Sequence, residues 1–501
     1  MFDKSFFRIL NYRIKSFTEC NYNNLKNEYW KELKIYHKII VIGEQKLQGT
    51  SYIFNPKSIA VIGASSKPGK IGHECFRSLV RSGFRGKIYP INPNIQKVLG
   101  VKAYPSISQV PDEVDLAIYT LPAKDAIKIF EDLGKKGVKA AIIISGGFRE
   151  VSENGMLLEE DVLRIARDNC IRIIGPNCIG VYDGYSKVDS FFQSAERLPR
   201  PKEGSISVIS QSGTFAMSFL DWASDDGIGI CKVISLGNRA DVDEADLIKY
   251  LNDDDKTKVI ALYIESFTNG RKLIDSIKKS KKPLVVYLAS KTNSGASVAR
   301  SHTGRIASNY LLARNIMEGV GVMIADTFQQ FYDITKAIAL LSQSLGDNVV
   351  MITNGAGPCV IAADLIQDNG LRMTHFSAPT KEVLERSLPG YAVINNPIDL
   401  TGSATSEDFM QAIKICDKTD EINVIALFIV FQDTPLEDEF AENLVLNKPE
   451  KPLVVFAAGG EYTRKKCRIL NSNGIPTFQN AEGLVLSIKG LVEVNKRWHI
   501  K

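Results

Sequence analysis

Histidine is scarce in this chain, with five among 501 residues, and none is set with cysteine at metal-ligand spacing. The eight cysteines (Cys20, Cys75, Cys170, Cys178, Cys231, Cys359, Cys416 and Cys467) form no C-x-x-C pair, which excludes a zinc ribbon or a dithiol redox motif. In a large chain without a secretion signal, reduced thiols of a cytoplasmic protein are the expected state. Long apolar runs are missing too. The longest uncharged stretches are about sixteen residues and include a Gly-rich turn, short of the ~20 that cross a bilayer. Nor is one sign of charge in excess. Of the net +5, residues 1–50 supply +4, from nine Lys/Arg against five Asp/Glu, so the remainder offers no basic surface for nucleic acid.

What is present is ordinary globular material, 44% hydrophobic and 24% charged, enough for about three domains at ~150 residues each. Residues 1–50 stand apart: aromatics from Phe2 to Tyr36 crowd an Asn/Lys-rich stretch, and no uncharged run in the first 46 residues exceeds six, too short for a signal-peptide core. This is an appendage of unknown role, for which a docking arm and a mis-assigned start codon both remain open.

From Ile53 the pattern becomes regular. Apolar β-rich runs at 58–63, 86–92, 114–120, 140–145 and 171–175 alternate with helical segments such as 71–82, which predicts a parallel sheet covered on both faces. Residues 51–181 therefore read as a Rossmann-like domain. Such sheets bind ligands beyond the carboxyl ends of their strands. The loops there contain Gly63, Ala64, Ser65, Lys67, Gly69 and Lys70, then Asn92 and Pro93, Leu121, Pro122 and Ala123, Gly146 to Phe148, and Asn177 and Cys178. The first of them, with hydroxyls and two lysines beside a helix start, suits a pyrophosphate. A nicotinamide dinucleotide fits less well: Gly63, Gly69 and Gly72 do not make G-x-G-x-x-G, and Asn92-Pro93 stands where an acidic residue should hold the ribose. Cys178 is the cysteine best placed for a role, although a small buried residue is the commoner meaning of such a position.

A polar, Pro-containing stretch at 183–203 separates this domain from a repeat. Val259-Ile-Ala-Leu-Tyr-Ile-Glu265 is echoed by Val424-Ile-Ala-Leu-Phe-Ile-Val430, and Lys282-Pro-Leu-Val-Val-Tyr by Lys451-Pro-Leu-Val-Val-Phe. Each copy opens with a strand running into a small polar turn, Ser210-Gln211-Ser212-Gly213-Thr214 in one and Thr353-Asn354-Gly355-Ala356-Gly357 in the other. Residues 204–344 and 347–497 thus read as two related flavodoxin-like α/β domains. The first holds Glu265 where the second has Val430, and only the first has a histidine after its next strand, His302 in Ser301-His302-Thr303-Gly304. Glutamate and histidine are present together or absent together, the pattern of a pair that acts jointly. Each turn leads into a helix start, where unpaired amides and the dipole favour an anion.

Ser301-His302-Thr303-Gly304, Ile209-Ser-Gln-Ser-Gly213, Ile173-Ile-Gly-Pro-Asn-Cys178 and Ile234-Ser-Leu-Gly-Asn-Arg-Ala-Asp-Val-Asp-Glu-Ala-Asp246 resemble the α subunits of ADP-forming acetate-CoA ligases, relatives of succinyl-CoA synthetase. The resemblance runs from about Ile53 to Trp498. It implies that the first domain binds coenzyme A through the loops named above, that His302 is transiently phosphorylated, and that Glu265 holds its imidazole. It further implies that Ser212, Gly213, Thr214, Thr303, Gly304, Gly355, Ala356 and Gly357 surround the phosphoryl group. The chain carries no recognisable ATP-grasp region, so ADP or ATP with Mg²⁺ is expected on a separate β subunit, in an α2β2 assembly. No metal site is expected here, and Asp253-Asp254-Asp255 reads as a solvated loop. After Gly304 the family more usually has small residues where this chain reads Arg305-Ile-Ala-Ser-Asn309. A non-catalytic CoA-binding regulatory subunit and an NAD-dependent oxidoreductase are the alternatives.

Overall fold

A computed structural model describes residues 49–295, 297–298, 309–341 and 346–498. The chain divides into two compact units, Met1–Gly49 and Thr50–Lys501, and everything below concerns the second. The appendage lies almost wholly outside the described residues, as do His302, Thr303 and Gly304. The second unit begins where the apolar pattern begins: Ile53 and Phe54 are fully buried, and the Phe54 ring stacks on Tyr250 at 4.7 Å.

Its first sheet is parallel, in the order Lys87–Ile91, Ser58–Ile62, Leu116–Tyr119, Ala140–Ile143, Arg172–Ile174. The strand Ser58–Ile62 is buried along its whole length because both faces are covered, which is why it reads as a continuous apolar run rather than an alternation. The helix Ile71–Arg81 packs tightly at the end of that strand. A Cβ on Gly72 would lie 2.1 Å from the Gly63 carbonyl oxygen, so only glycine permits the approach.

The second and third sheets share one plan. In the second, Glu203–Ser210 is central, with Val259–Ile264, Leu284–Leu288 and Met323–Ala325 to one side and Ile230–Ser235 then Val181–Asp183 to the other. In the third, Asn348–Thr353 is central, with Val424–Phe428, Leu453–Phe456 and Thr477–Phe478 to one side and Ile398–Asp399 then Val393–Ile394 to the other. Both sheets end on an antiparallel edge strand. The register pairs Tyr263 with Ser210 and Phe428 with Thr353, which makes Glu265 and Val430 equivalent positions, two residues further on.

The stretch 183–203 differs from the spacer its composition suggests. Val181–Asp183 joins the second sheet, Phe191 is fully buried, and buried Asp189 accepts a hydrogen bond from Arg200 at 2.8 Å. Asp189 and Ser190 are buried among partners while Glu196, Arg197 and Lys202 stay exposed, so it is a strap packed along one side. Among the described residues no helix is long and apolar enough to cross a membrane.

Candidate active site

The carboxyl ends of the first sheet form one rim of the site. Gly63 has φ +88°, and a Cβ there would meet Leu121 Cδ2 and Thr120 Oγ1 at 2.8 Å, so the first loop and the Leu121-Pro122-Ala123 loop touch only because residue 63 has no side chain. Ser65, Lys67, Gly69 and Lys70 stay partly or fully exposed in that loop, as Pro93 and Pro122 do in theirs, whereas Ala64 and Ala123 are buried. Asn92 is committed elsewhere than to a ribose: its Nδ2 donates to the Ala64 carbonyl at 2.8 Å and its Oδ1 accepts from Asn94 N at 2.8 Å. It braces the first loop from the second strand.

Two of the motifs quoted above dock on each other. Asn238 N donates to Pro176 O at 2.8 Å, Ala240 N to Gly175 O at 3.0 Å and Val242 N to Ile173 O at 3.1 Å, extending the edge of the first sheet with a segment of the next domain. Gly237 permits this, since a Cβ there would lie 2.2 Å from Pro176 O. Asp241 accepts from Arg172 Nε at 2.7 Å, and Asp246 pairs with both Arg172 and Lys272, at 3.0 and 2.7 Å. Asp241 and Asp246 of this motif are therefore ion-pair partners of Arg172 across a junction. Burial alone would raise the Asp246 carboxyl, but Lys272 and Arg172 outweigh it and hold the group below the ordinary carboxylate range.

The Asp253-Asp254-Asp255 loop is solvated at two of its three positions. Asp253 and Asp255 are exposed, but Asp254 is half-buried, accepting from the buried Lys232 ammonium at 2.8 Å and from Thr257 Oγ1 at 2.6 Å. Among the described residues no cluster of three or more His, Cys, Asp or Glu is placed to hold a metal ion.

Glu265 follows the strand Val259–Ile264 and is fastened by Gln211. The Gln211 Oε1 accepts from the amides of Glu265 and Ser266, at 2.8 and 3.1 Å, while its Nε2 donates to Glu244 Oε1 at 2.5 Å and to Ser266 O at 2.9 Å. Buried Arg239 closes the network, donating to Glu244 Oε1 and Ser266 O, both at 2.8 Å. Burial first, and then the charge of Glu265, push the Tyr263 phenol up, so it stays protonated. Its ring stacks on Phe215 at 4.2 Å.

The helix Gly213–Asp225 starts beside this network, with Ser212 as its N-cap. A Cβ on Gly213 would meet Ile179 Cγ2 at 2.7 Å, so the helix start approaches the 175–180 loop through a glycine. That approach encloses a cavity of about 460 Å³. Asn177 and Cys178 line it from the first domain, and Ser212, Gly213 and Thr214 from the second, so residues assigned separately to coenzyme A and to phosphate share one chamber. Asn177, at φ +57°, is exposed in it. Cys178 is buried, its Sγ donates to Ile143 O at 3.3 Å, and burial pushes the thiol up to about 12. It is a packing thiol rather than a nucleophile.

The second turn, Gly355 to Gly357, does not line this cavity. It starts the helix Gly357–Asp368, capped by no side chain and followed by Pro358, which brings no N–H. Asn354 repeats the fastening of Gln211, its Oδ1 accepting from Val430 N at 2.9 Å. A Cβ on Gly355 would meet Val430 Cγ2 at 2.8 Å. Of the departing segment 305–309 only Asn309 is described; it caps the helix Tyr310–Gly319, accepting from Leu312 N at 3.1 Å. Gln211, Asn238, Arg239 and Glu244 carry no assigned role in the sequence. The one available signal was the matched position of Gln211 and Asn354 in the repeat.

Comparison with known proteins agrees with this architecture. Residues 57–183 match the CoA binding domain family, 203–338 the succinyl-CoA ligase like flavodoxin domain and 349–498 the ligase-CoA domain. The alpha subunit of acetate–CoA ligase [ADP-forming] I of Pyrococcus furiosus is 36% identical over 461 residues, covering 90% of this chain and 98% of that one. The 4-hydroxybutyrate–CoA ligase [ADP-forming] of Nitrosopumilus maritimus is 31% identical, and the match spans 88% of this chain but 64% of the relative. A solved acetyl-coenzyme A synthetase of Ca. Korarchaeum cryptofilum, in complex with phosphate and ADP, superposes with a TM-score of 0.82 at 31% identity, over 89% of this chain and 97% of that one. The chain belongs to the ADP-forming acetate–CoA ligase family, on the pattern of its alpha subunits.

Proposed function

We propose that this chain is the CoA-binding, phosphohistidine-carrying subunit of an ADP-forming acyl-CoA ligase, catalysing acyl-CoA + ADP + phosphate ⇌ carboxylic acid + CoA + ATP together with an ATP-grasp partner. The observation that carries this reading is the shared cavity, in which the Asn177–Cys178 loop meets the helix start at Ser212–Thr214, next to the Gln211-fastened Glu265.

Phosphate oxygen attacks the thioester carbonyl, the C–S bond breaks, and acyl phosphate and the CoA thiol form. An imidazole nitrogen of His302 then takes the phosphoryl group and the carboxylic acid leaves; ADP finally removes the group as ATP. A neutral imidazole whose one N–H donates to Glu265 presents its other nitrogen as the nucleophile, dividing a hard transfer into two easier ones. Amides at a helix start stabilise the charge in transfer. The unpaired Oε1 of Gln193, buried in the same cavity, is an acceptor suited to an amide N–H of the pantetheine arm.

Mg²⁺ belongs with the nucleotide on the partner, the assembly is α2β2, and the compartment is the cytoplasm. The relative's name as an alpha subunit supports a partner. The test is incubation of the reconstituted complex with γ-labelled ATP and Mg²⁺. Acid-labile, base-stable label on the wild type and none on His302→Ala is the expected result; equal labelling of the variant overturns the assignment. Tighter thermal stabilisation by NAD than by coenzyme A would restore the oxidoreductase alternative.

A further inference from the structure

We infer that His73 and Glu74 are positioning residues for coenzyme A: adjacent in the helix Ile71–Arg81, they hold the 64–70 loop from beneath in the shape that receives the pyrophosphate. This rests on the CoA-binding role proposed above and names two residues on which that role depends.

The helix buries polar groups where its counterparts bury none. Ile71–Arg81, Gly213–Asp225 and Gly357–Asp368 each follow an interior strand of their sheet through a small polar turn. The second buries Ala216, Phe219, Leu220 and Ala223, and the third Cys359, Ala362 and Ile366. The first buries Cys75, Phe76 and Leu79 in the same way, but also His73 and Glu74, at 4% and 9% exposure. A buried imidazole or carboxylate costs stability unless it is partnered. Packing at such a helix is served by apolar residues, so these two answer to their partners.

Both partners lie in the loop. His73 Nδ1 stands 2.8 Å from the Ser65 carbonyl oxygen, which can only accept, so Nδ1 carries the proton and donates. Glu74 Oε1 accepts from Gly69 N at 2.8 Å. One residue thus grips the loop near its beginning and the other near its end, while Ser66, Lys67 and Pro68 between them stay exposed. The other Glu74 oxygen is taken by Arg77 at 2.5 Å, which offsets a negative charge that would otherwise repel a phosphate close by.

The loop has little else to keep its shape at the far end. Gly69 turns at φ +83°, and a Cβ there would meet nothing within 4 Å, so the turn is fixed by the Glu74 bond rather than by packing. Without that bond the exposed stretch would be ordered only when the ligand arrives, and the ordering would be subtracted from affinity.

The reconstituted complex, run from acetate, ATP and CoA toward acetyl-CoA, tests this. His73→Leu and Glu74→Met keep side-chain bulk but remove the donor and the acceptor. Each is expected to raise the KM for CoA about tenfold, the equivalent of one charge-assisted hydrogen bond, with kcat at saturating CoA and the KM for acetate little changed. His73→Asn and Glu74→Gln, which restore an N–H donor and a carbonyl acceptor, should return the KM for CoA to within about twofold of the wild type. Calorimetric Kd values for CoA on the full chain should follow the same order. A KM for CoA unmoved by the apolar variants, or raised as much by the restoring ones, overturns the inference while the proposed function stands; so does a fall in kcat and a rise in the acetate KM in step with that of CoA. The two positions are read separately, and one folded pair of variants decides. If the wild-type chain binds no CoA, the proposed function falls and the inference with it.

Discussion

The second and third sheets are two versions of one domain, and their difference isolates the chemistry. Both place three parallel strands to one side of the central strand and an antiparallel edge on the other, with the same amide fastening at the end of the central strand, by Gln211 in one and Asn354 in the other. What changes lies at the tip. Tyr263 and Glu265 in the first copy correspond to Phe428 and Val430 in the second, so the phenol hydroxyl and the carboxylate are absent together from the second copy. Val430 instead packs against Gly355. The fold needs the fastening, because buried amides must be paired in both copies. It does not need the Tyr–Glu pair, which therefore answers to something other than stability.

Converting the first copy into the second should give the largest effect. Glu265→Val is expected to slow phosphoenzyme formation by about 10²–10⁴-fold with the melting temperature nearly unchanged, as read by rapid-quench labelling of the reconstituted complex. Labelling at the wild-type rate would break the comparison. Removing the fastening should instead affect both copies alike: Gln211→Leu and Asn354→Leu each leave buried partners unpaired and should cost about 1–3 kcal/mol of stability, measured by denaturant titration. Of the two, only the Gln211 variant should also slow labelling, since only it frees a glutamate.

The smallest expected effect sharpens the contrast between the helix starts. A Cβ at Gly213 meets Ile179 at 2.7 Å, whereas at Gly357 nothing lies within 4 Å. Gly213→Ala should destabilise by about 1–2 kcal/mol through overpacking, and Gly357→Ala should be neutral or stabilise by up to about 1 kcal/mol. Equal melting temperatures for the two variants would mean that the first helix start is not closed against the 175–180 loop.

Much of this was legible in the sequence where the signal is local. The strands expected at 58–63, 259–265 and 424–430 are found at Ser58–Ile62, Val259–Ile264 and Val424–Phe428, because buried strands write themselves as short apolar runs. The Glu265/Val430 contrast was readable for the same reason, as a substitution inside a repeated string. The packing of the stretch 183–203 is not legible in its composition, since its charged residues give no sign that Arg200 and Asp189 pair. The roles of Gln211, Asn238 and Arg239 were equally hidden. Their partners Glu265, Glu150 and Ser266 lie 54, 88 and 27 residues away along the chain.

By itself, the sequence determined the α/β architecture, the duplication, and the residues at which the two copies part, because strand periodicity and repetition depend only on neighbours along the chain. Only the tertiary structure decided that Asn177 and Ser212 share a cavity with Phe192 and Met217, and that the Asp-rich motif joins domains through the pairs of Asp241 and Asp246 with Arg172. Those outcomes depend on how closely backbones approach at Gly213 and Gly237, where a single Cβ would hold the domains apart. Approach distances of that kind are set by packing in three dimensions, and no spacing in the sequence encodes them.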